Sequence, residues 1–158
     1  MDTHQKLMNE AYDLWKSNDN WSKEEFFEQL DRKHRIAVAL GNMNYQVENG
    51  GFSQWIYNGY AQNHFRFILL LLGSKSIEAL KLSNVKKVYQ ILIEAERPIK
   101  DMIELFGESN RYKSYEDDED DEYREKELNE ELDEFDTKYY IIDNDELLKE
   151  FNVILENN

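Results

Sequence analysis

Leu7, Met8, Ala11, Leu14 and Trp15 recur at the three- and four-residue spacing of a single helix face, which predicts an amphipathic first helix ending near Ser17. Asn18-Asp19-Asn20 then reads as a turn. Ser22-Lys23-Glu24-Glu25 has the capping-box pattern, in which a serine and the glutamate three residues on satisfy opposite backbone donors at a helix start. The stripe Phe26, Leu30, Ala37, Leu40, Asn44 and Val47 predicts one long helix from that cap. Asn49-Gly50-Gly51 stops it, because glycine tolerates the left-handed conformation that ends helices. A short aromatic segment of one or two helical turns follows over residues 52–60 and closes at Asn58-Gly59.

Ala61 to Leu72 predicts another helix, ended by Gly73. Phe65 and the run from Phe67 to Leu72 leave it apolar nearly all round, so it is expected to be the central helix, enclosed by the others. Ile77, Leu80, Val85, Val88, Tyr89, Leu92 and Ile93 continue the helical spacing with a break near Ser83-Asn84, and Pro98 restarts the chain before Met102, Ile103, Leu105 and Phe106. Residues 107–115 read as a loop, and a helix is expected to begin only after the seven consecutive acids Glu116 to Glu122. Leu128, Leu132, Phe135 and Tyr139 form its inward stripe, leaving Glu127, Glu130, Glu131 and Glu134 outward. Asp143 or Asn144 caps a last helix with Leu147, Leu148, Phe151, Ile154 and Leu155 inside. The expectation is an all-α fold: one compact multi-helix domain over residues 1–158, with an acidic loop before the C-terminal helices.

One proline and six glycines in 158 residues leave little turn punctuation for a β fold, which agrees with that pattern. The net charge of −15 changes the picture more, because it is regional. Between Glu116 and Asp136 stand fourteen acids against Arg124 and Lys126, whereas residues 1–115 carry fifteen acids and fifteen bases. Like charges three and four apart oppose helix formation, so residues 110–126 are expected to be mobile until a partner neutralises them. The same field repels nucleic acid and anionic membranes, since binding phosphate needs Lys and Arg. A basic protein is the expected partner. The absence of cysteine removes disulfides and thiolate chemistry, and the longest apolar run, Phe67 to Leu72, falls far short of a membrane span, so a cytoplasmic protein is expected.

No catalytic constellation is visible, and an enzyme is not expected. His4, His34 and His64 are widely separated and form no metal-binding pair, and no phosphate loop, serine elbow or dinucleotide fingerprint occurs. Neither the acidic run nor Asp143-Asn144-Asp145-Glu146 has the glycine and ligand spacing of a calcium loop. No metal or cofactor is expected. The remaining chemical feature is a set of amides, Asn44, Gln54 and Asn58, that would line a polar pocket if they converge.

The segment Asn49-Gly50-Gly51-Phe52-Ser53-Gln54-Trp55-Ile56-Tyr57-Asn58, the helix after it with Gly73, and Phe135-Asp136-x-x-Tyr139-Tyr140 together resemble a bacterial family of domains typified by the nineteen-kilodalton DNA mimic protein. The resemblance implies an all-α fold, self-association as a homodimer, and a surface of carboxylates that imitates DNA phosphates and occupies a DNA-binding protein. The motif residues themselves look like scaffold. The candidate partner-binding residues are therefore the acids: Glu127, Glu130, Glu131 and Glu134, about 5–6 Å apart along a helix face, assisted by Asp117, Asp118, Glu119, Asp120, Asp121 and Glu122.

Two other readings fit the same chain. One is an immunity or antitoxin-type protein that neutralises a basic, toxin-like domain; the other is a small-ligand binder or enzyme that uses the amide pocket.

Overall fold

Asp2, Ser22, Asp31, Ser74 and Asp143 each place a side-chain oxygen on the backbone N–H three residues ahead, and each opens a helix. The computed structural model describes residues 1–112 and 119–158, with only the backbone of 107–112 and of 119. Among these residues lie nine helices and no strand: α1 (Thr3–Lys16), α2 (Lys23–Gln29), α3 (Arg32–Tyr57), α4 (Ala61–Leu72), α5 (Lys75–Glu78), α6 (Ser83–Glu94), α7 (Glu96–Tyr112), α8 (Glu119–Tyr140) and α9 (Asn144–Glu156). The fold is all-α, as the periodicity indicates. No helix among the described residues is long and apolar enough to cross a membrane.

The centre of the molecule is α3, not α4. Nine consecutive residues of α3, Ile36 to Asn44, are buried, and α1, α4, α7, α8 and α9 pack around it. By contrast α4 keeps Gln62, Arg66 and Leu70 on an exposed edge, with Leu70 66 % exposed. An apolar run in a helix fills more than one face, but only three neighbours, α3, α5 and α6, and the short α2 are present to cover it. Leu70 is what remains outside.

The long helix expected from Ser22 onward is two helices. Leu30 turns extended (φ −78°, ψ 146°) with its side chain buried, and Asp31 starts α3 afresh by accepting from the His34 N–H. Arg35 closes the joint: its guanidinium donates to the carbonyls of Phe27 (3.1 Å) and Glu28 (2.5 Å) at the end of α2. Inside α3 the two glycines leave helical geometry, Gly50 at φ −159°, ψ 17° and Gly51 at φ 77°, ψ −179°, so the segment from Phe52 to Tyr57 is a re-aimed helical piece ending at Asn58.

Two boundaries near the acidic run also differ from expectation. Helix α7 continues through Tyr112 where a loop was expected, and α8 begins at Glu119, inside the acidic run. Repulsion between neighbouring carboxylates is thus not enough to keep Glu119 to Glu122 out of the helix, which packing of Leu128, Leu132 and Tyr139 holds further along. The expected mobile loop over 110–126 is therefore helical at both ends. Asp117 and Asp118 lie outside the described residues.

Candidate functional site

The acidic helix α8 is held by its inner face. Leu128, Leu132 and Tyr139 are wholly buried, and Phe135 packs at the core's margin. Polar ties reinforce the contact with the end of α3: Ser53 donates to the Asn129 side-chain oxygen (2.5 Å), the Asn129 amide N–H donates to the Tyr57 hydroxyl (3.0 Å), and that hydroxyl donates to Glu125 (2.5 Å). Glu125 is thus part of the joint, not of the acidic surface.

One edge of α8 is pinned by cations. Arg97 of α7 pairs with Glu131, Arg124 reaches Asp101 (3.0 Å) and stands 4.0 Å from Glu127, and Lys138 reaches Glu94 (3.3 Å). The four glutamates expected on the outer face therefore divide. Glu127 and Glu131 are half-exposed and lean on arginines, whereas Glu130 and Glu134 are exposed and make no ion pair among the described residues. Asp133 belongs with the latter. Sequence reasoning passed over it, although its position three residues after Glu130 puts it on the same stripe. Asp120 and Glu122 are exposed and Asp121 half-exposed at the start of the helix, while of Glu119 only the backbone is described.

The two motifs that carry the family resemblance meet in space. Asp136 of α8 accepts from the Phe52 N–H (2.8 Å), at the start of the re-aimed piece of α3, and its carboxylate lies against the bare Cα of Gly51. Tyr139 donates to the Asn44 side-chain oxygen (2.7 Å) and meets Phe52 edge-on at 5.8 Å. Asp136 is thus a helix cap supplied from a different part of the chain. Burial pushes its pKa up to about 6, with Asp133 adding to the rise and the Phe52 N–H opposing it.

That displacement has a sign. The folded state holds the Asp136 proton more tightly than the unfolded chain, so stability falls as pH rises from about 4 to about 6 and is level above. Because the carboxyl is only half-buried, the loss is about 1–2 kcal/mol. Asp136→Asn keeps an acceptor for Phe52 and has no charge to bury. Urea denaturation at pH 4, 5, 6 and 7 is expected to show the decline in the parent protein and not in the variant; equal slopes would reassign the titration.

The amides expected to line a pocket are engaged separately. Asn44 is bonded by Tyr139, whereas Gln54 and Asn58 both donate to the Gln46 oxygen, at 2.9 and 2.7 Å. The histidines are likewise occupied or buried. His34 holds Asp31 on Nδ1 (2.6 Å) and Glu10 on Nε2 (2.8 Å), which leaves neither nitrogen to take a proton from a third group. Burial lowers its pKa, but the two carboxylates outweigh that and hold it above its ordinary value. His4 packs under Gly41 with Nε2 at 3.0 Å from the Ala37 carbonyl oxygen, and burial of His64 takes it down to about 4. Among the described residues no group of three or more His, Asp or Glu is arranged to hold a metal ion.

The charged outer stripe of α8, the joint beneath it and the Gly51–Asp136 contact therefore form one continuous unit. A family model described as DMP19-like protein matches residues 28–158, which include all of that unit. No curated protein and no solved structure matches the chain.

Proposed function

The chain belongs to the DMP19-like protein family, and on that premise we propose that it is an acidic protein-binding module that acts as a DNA mimic, occupying a basic DNA-binding protein through helix α8. The observation that carries this reading is that Glu119–Tyr140 is a helix docked on the core through Leu128, Leu132 and Tyr139, so the backbone that carries its carboxylates is held in place. A phosphate mimic needs that rigidity, because a floppy polyanion loses ordering entropy on binding and fixes no register.

The dimensions suit the role. The 22 residues of α8 extend about 33 Å, close to one turn of B-DNA at about 34 Å. Glu119–Tyr140 carries eleven acids and three bases. Its net charge density is lower than that of the duplex, which carries one charge per roughly 1.7 Å of axis. The mimicry is accordingly of one face. Glu130, Asp133 and Glu134 are the residues proposed to meet Arg and Lys of the partner, with Asp120 and Glu122 extending the stripe toward the helix start, whereas Asp121, seven residues before Leu128, falls on the side of the buried stripe. Glu127 and Glu131 are assigned a mixed role, since part of their charge is spent on Arg124 and Arg97. The protein would act by occupancy, with no turnover and no cofactor.

The test is an affinity column of the intact protein, loaded with source-cell lysate at low salt and eluted with a salt gradient. The expected ligand is a basic protein that binds duplex DNA and is displaced from the column by that DNA. Glu130→Gln/Asp133→Asn/Glu134→Gln should weaken the retained protein's affinity about tenfold, since exposed pairs contribute up to about 1 kcal/mol each, and should leave the melting temperature unchanged. Glu127→Gln/Glu131→Gln should cost stability as well, through the Arg97 pair. Retention of a basic toxin domain with no affinity for DNA would favour the immunity reading; identical retention by the triple variant would remove α8 from the surface.

A further inference from the structure

We propose that the cleft between Tyr12, Trp15 and Trp21 binds the guanidinium group of an arginine side chain presented by another protein. The cleft has a volume of about 310 Å³ and is lined by Tyr12, Trp15, Lys16, Asp19 and Trp21. It lies on α1 and the turn after it, outside the residues 28–158 that the family model matches.

Its walls are fixed before any ligand arrives. Trp15 stacks on Phe26 with ring centroids 4.2 Å apart and planes at 11°, and its indole N–H donates to the Trp21 carbonyl at 3.1 Å. Tyr12 stacks against Trp15 at 6.3 Å, while its hydroxyl accepts from Asn42 of α3 at 3.2 Å. Aromatic rings held in this way offer negative π faces to a cation at no further ordering cost. Elsewhere in the chain cations already sit on such faces: Lys23 over Tyr60 at 5.3 Å, Arg35 over Phe27 at 5.8 Å and Lys138 over Phe135 at 5.1 Å. Among the described residues none sits over Trp15 or Trp21.

Charge selects the occupant. Asp19 is the acid among the lining residues and Lys16 the base, and the surrounding residues 1–30 are acidic, with seven acids against three bases. The Lys16 side chain is 80 % exposed and its ammonium stands 4.0 Å from the Asp13 carboxylate, so its charge is shared with an acid outside the lining. Arginine fits better than lysine, because a planar guanidinium lies flat on an indole while its edge donates to a carboxylate. The cleft is shallow and broadly open to solvent, which admits a side chain on a long stem.

This site is separate from α8, and its test does not need the proposed partner. The intact protein is titrated with N-acetyl-arginine amide and with the neutral isostere N-acetyl-citrulline amide, following the indole N–H resonances by NMR. Trp15 and Trp21 should shift saturably with the arginine compound, while Trp55, which is wholly buried, stays in place. The citrulline compound should bind at least about fivefold more weakly, the size of a part-exposed cation–π contact. Asp19→Asn should weaken arginine binding and leave citrulline binding as it was; the Glu130→Gln/Asp133→Asn/Glu134→Gln protein should bind both like the parent. No saturable shift, equal affinity for citrulline, or indifference to Asp19→Asn would each overturn the proposal.

Discussion

Gly51→Ala is expected to lower stability by at least about 3 kcal/mol, which for a chain of this size lowers the melting temperature by roughly 10 °C. Gly51 stands at φ 77°, ψ −179°, a combination open in practice to glycine alone. The new Cβ would also fall 2.3 Å from Asp136 Oδ2, and that carboxylate cannot retreat without releasing the Phe52 N–H. Gly51→Ala in an Asp136→Ala background is the control, because it removes the atoms nearest the new Cβ and leaves the backbone angle at 51 as it is. In that background the substitution should cost less than in the parent, about 1–3 kcal/mol for the backbone angle alone. Thermal melts of the four proteins decide the matter: equal losses in the two backgrounds would mean that the backbone angle, and not the Gly51–Asp136 contact, sets the cost.

That contact also marks where reading the sequence stops being sufficient. Two helix starts that carry their own cap were legible, Ser22 for α2 and Asp143 for α9, as was the helix from Ala61 to Leu72 with Gly73 at its end, whereas the caps at Asp2 and Ser74 were passed over. Two other starts have no local cap, and a carboxylate from elsewhere supplies it. Asp136 caps the piece of α3 after Gly51, and Glu150 of α9 accepts from the N–H groups of Asn84 (2.9 Å) and Val85 (3.1 Å) at the start of α6. Partners 84 positions apart at Phe52, and 66 and 65 positions apart at Asn84 and Val85, leave no local pattern of that kind; only the fold brings them together.

The break at Leu30-Asp31 is different, because the signal was present. Asp31 followed three residues later by His34 has the spacing of a cap, but an unbroken hydrophobic stripe hid it. The stripe persists across the break because Leu30 stays buried while its backbone turns extended. The candidate site was half legible for a related reason. Periodicity placed Leu128, Leu132 and Tyr139 inward and the glutamates outward, and Arg124 three residues before Glu127 is a local pair, but the pairing of Glu131 with Arg97 depended on where α7 lies, and α7 runs beside α8 only in the folded chain.

Tyr139→Ala should detach the C-terminal half of α8 from α3 and cost about 3–5 kcal/mol, the usual penalty for emptying a large aromatic site in a packed core. Tyr139 is wholly buried, edge-on to Phe52, and its hydroxyl donates to Asn44, itself buried. Tyr139→Phe keeps the ring and removes only the hydroxyl, leaving the Asn44 oxygen without its donor at a cost of about 1–3 kcal/mol. The two variants separate position from charge, since neither alters a carboxylate. If α8 works as a rigid array, partner affinity should fall in the order parent, Tyr139→Phe, Tyr139→Ala, at constant net charge. Hydrogen exchange should quicken over residues 128–140 before it does over α1, which touches α3 and α9 and not α8 through its main contacts. Undiminished affinity in Tyr139→Ala, with exchange over α8 accelerated, would mean that the partner reads the acidic segment as a flexible polyanion, and the rigid-array account of the mimicry would fall.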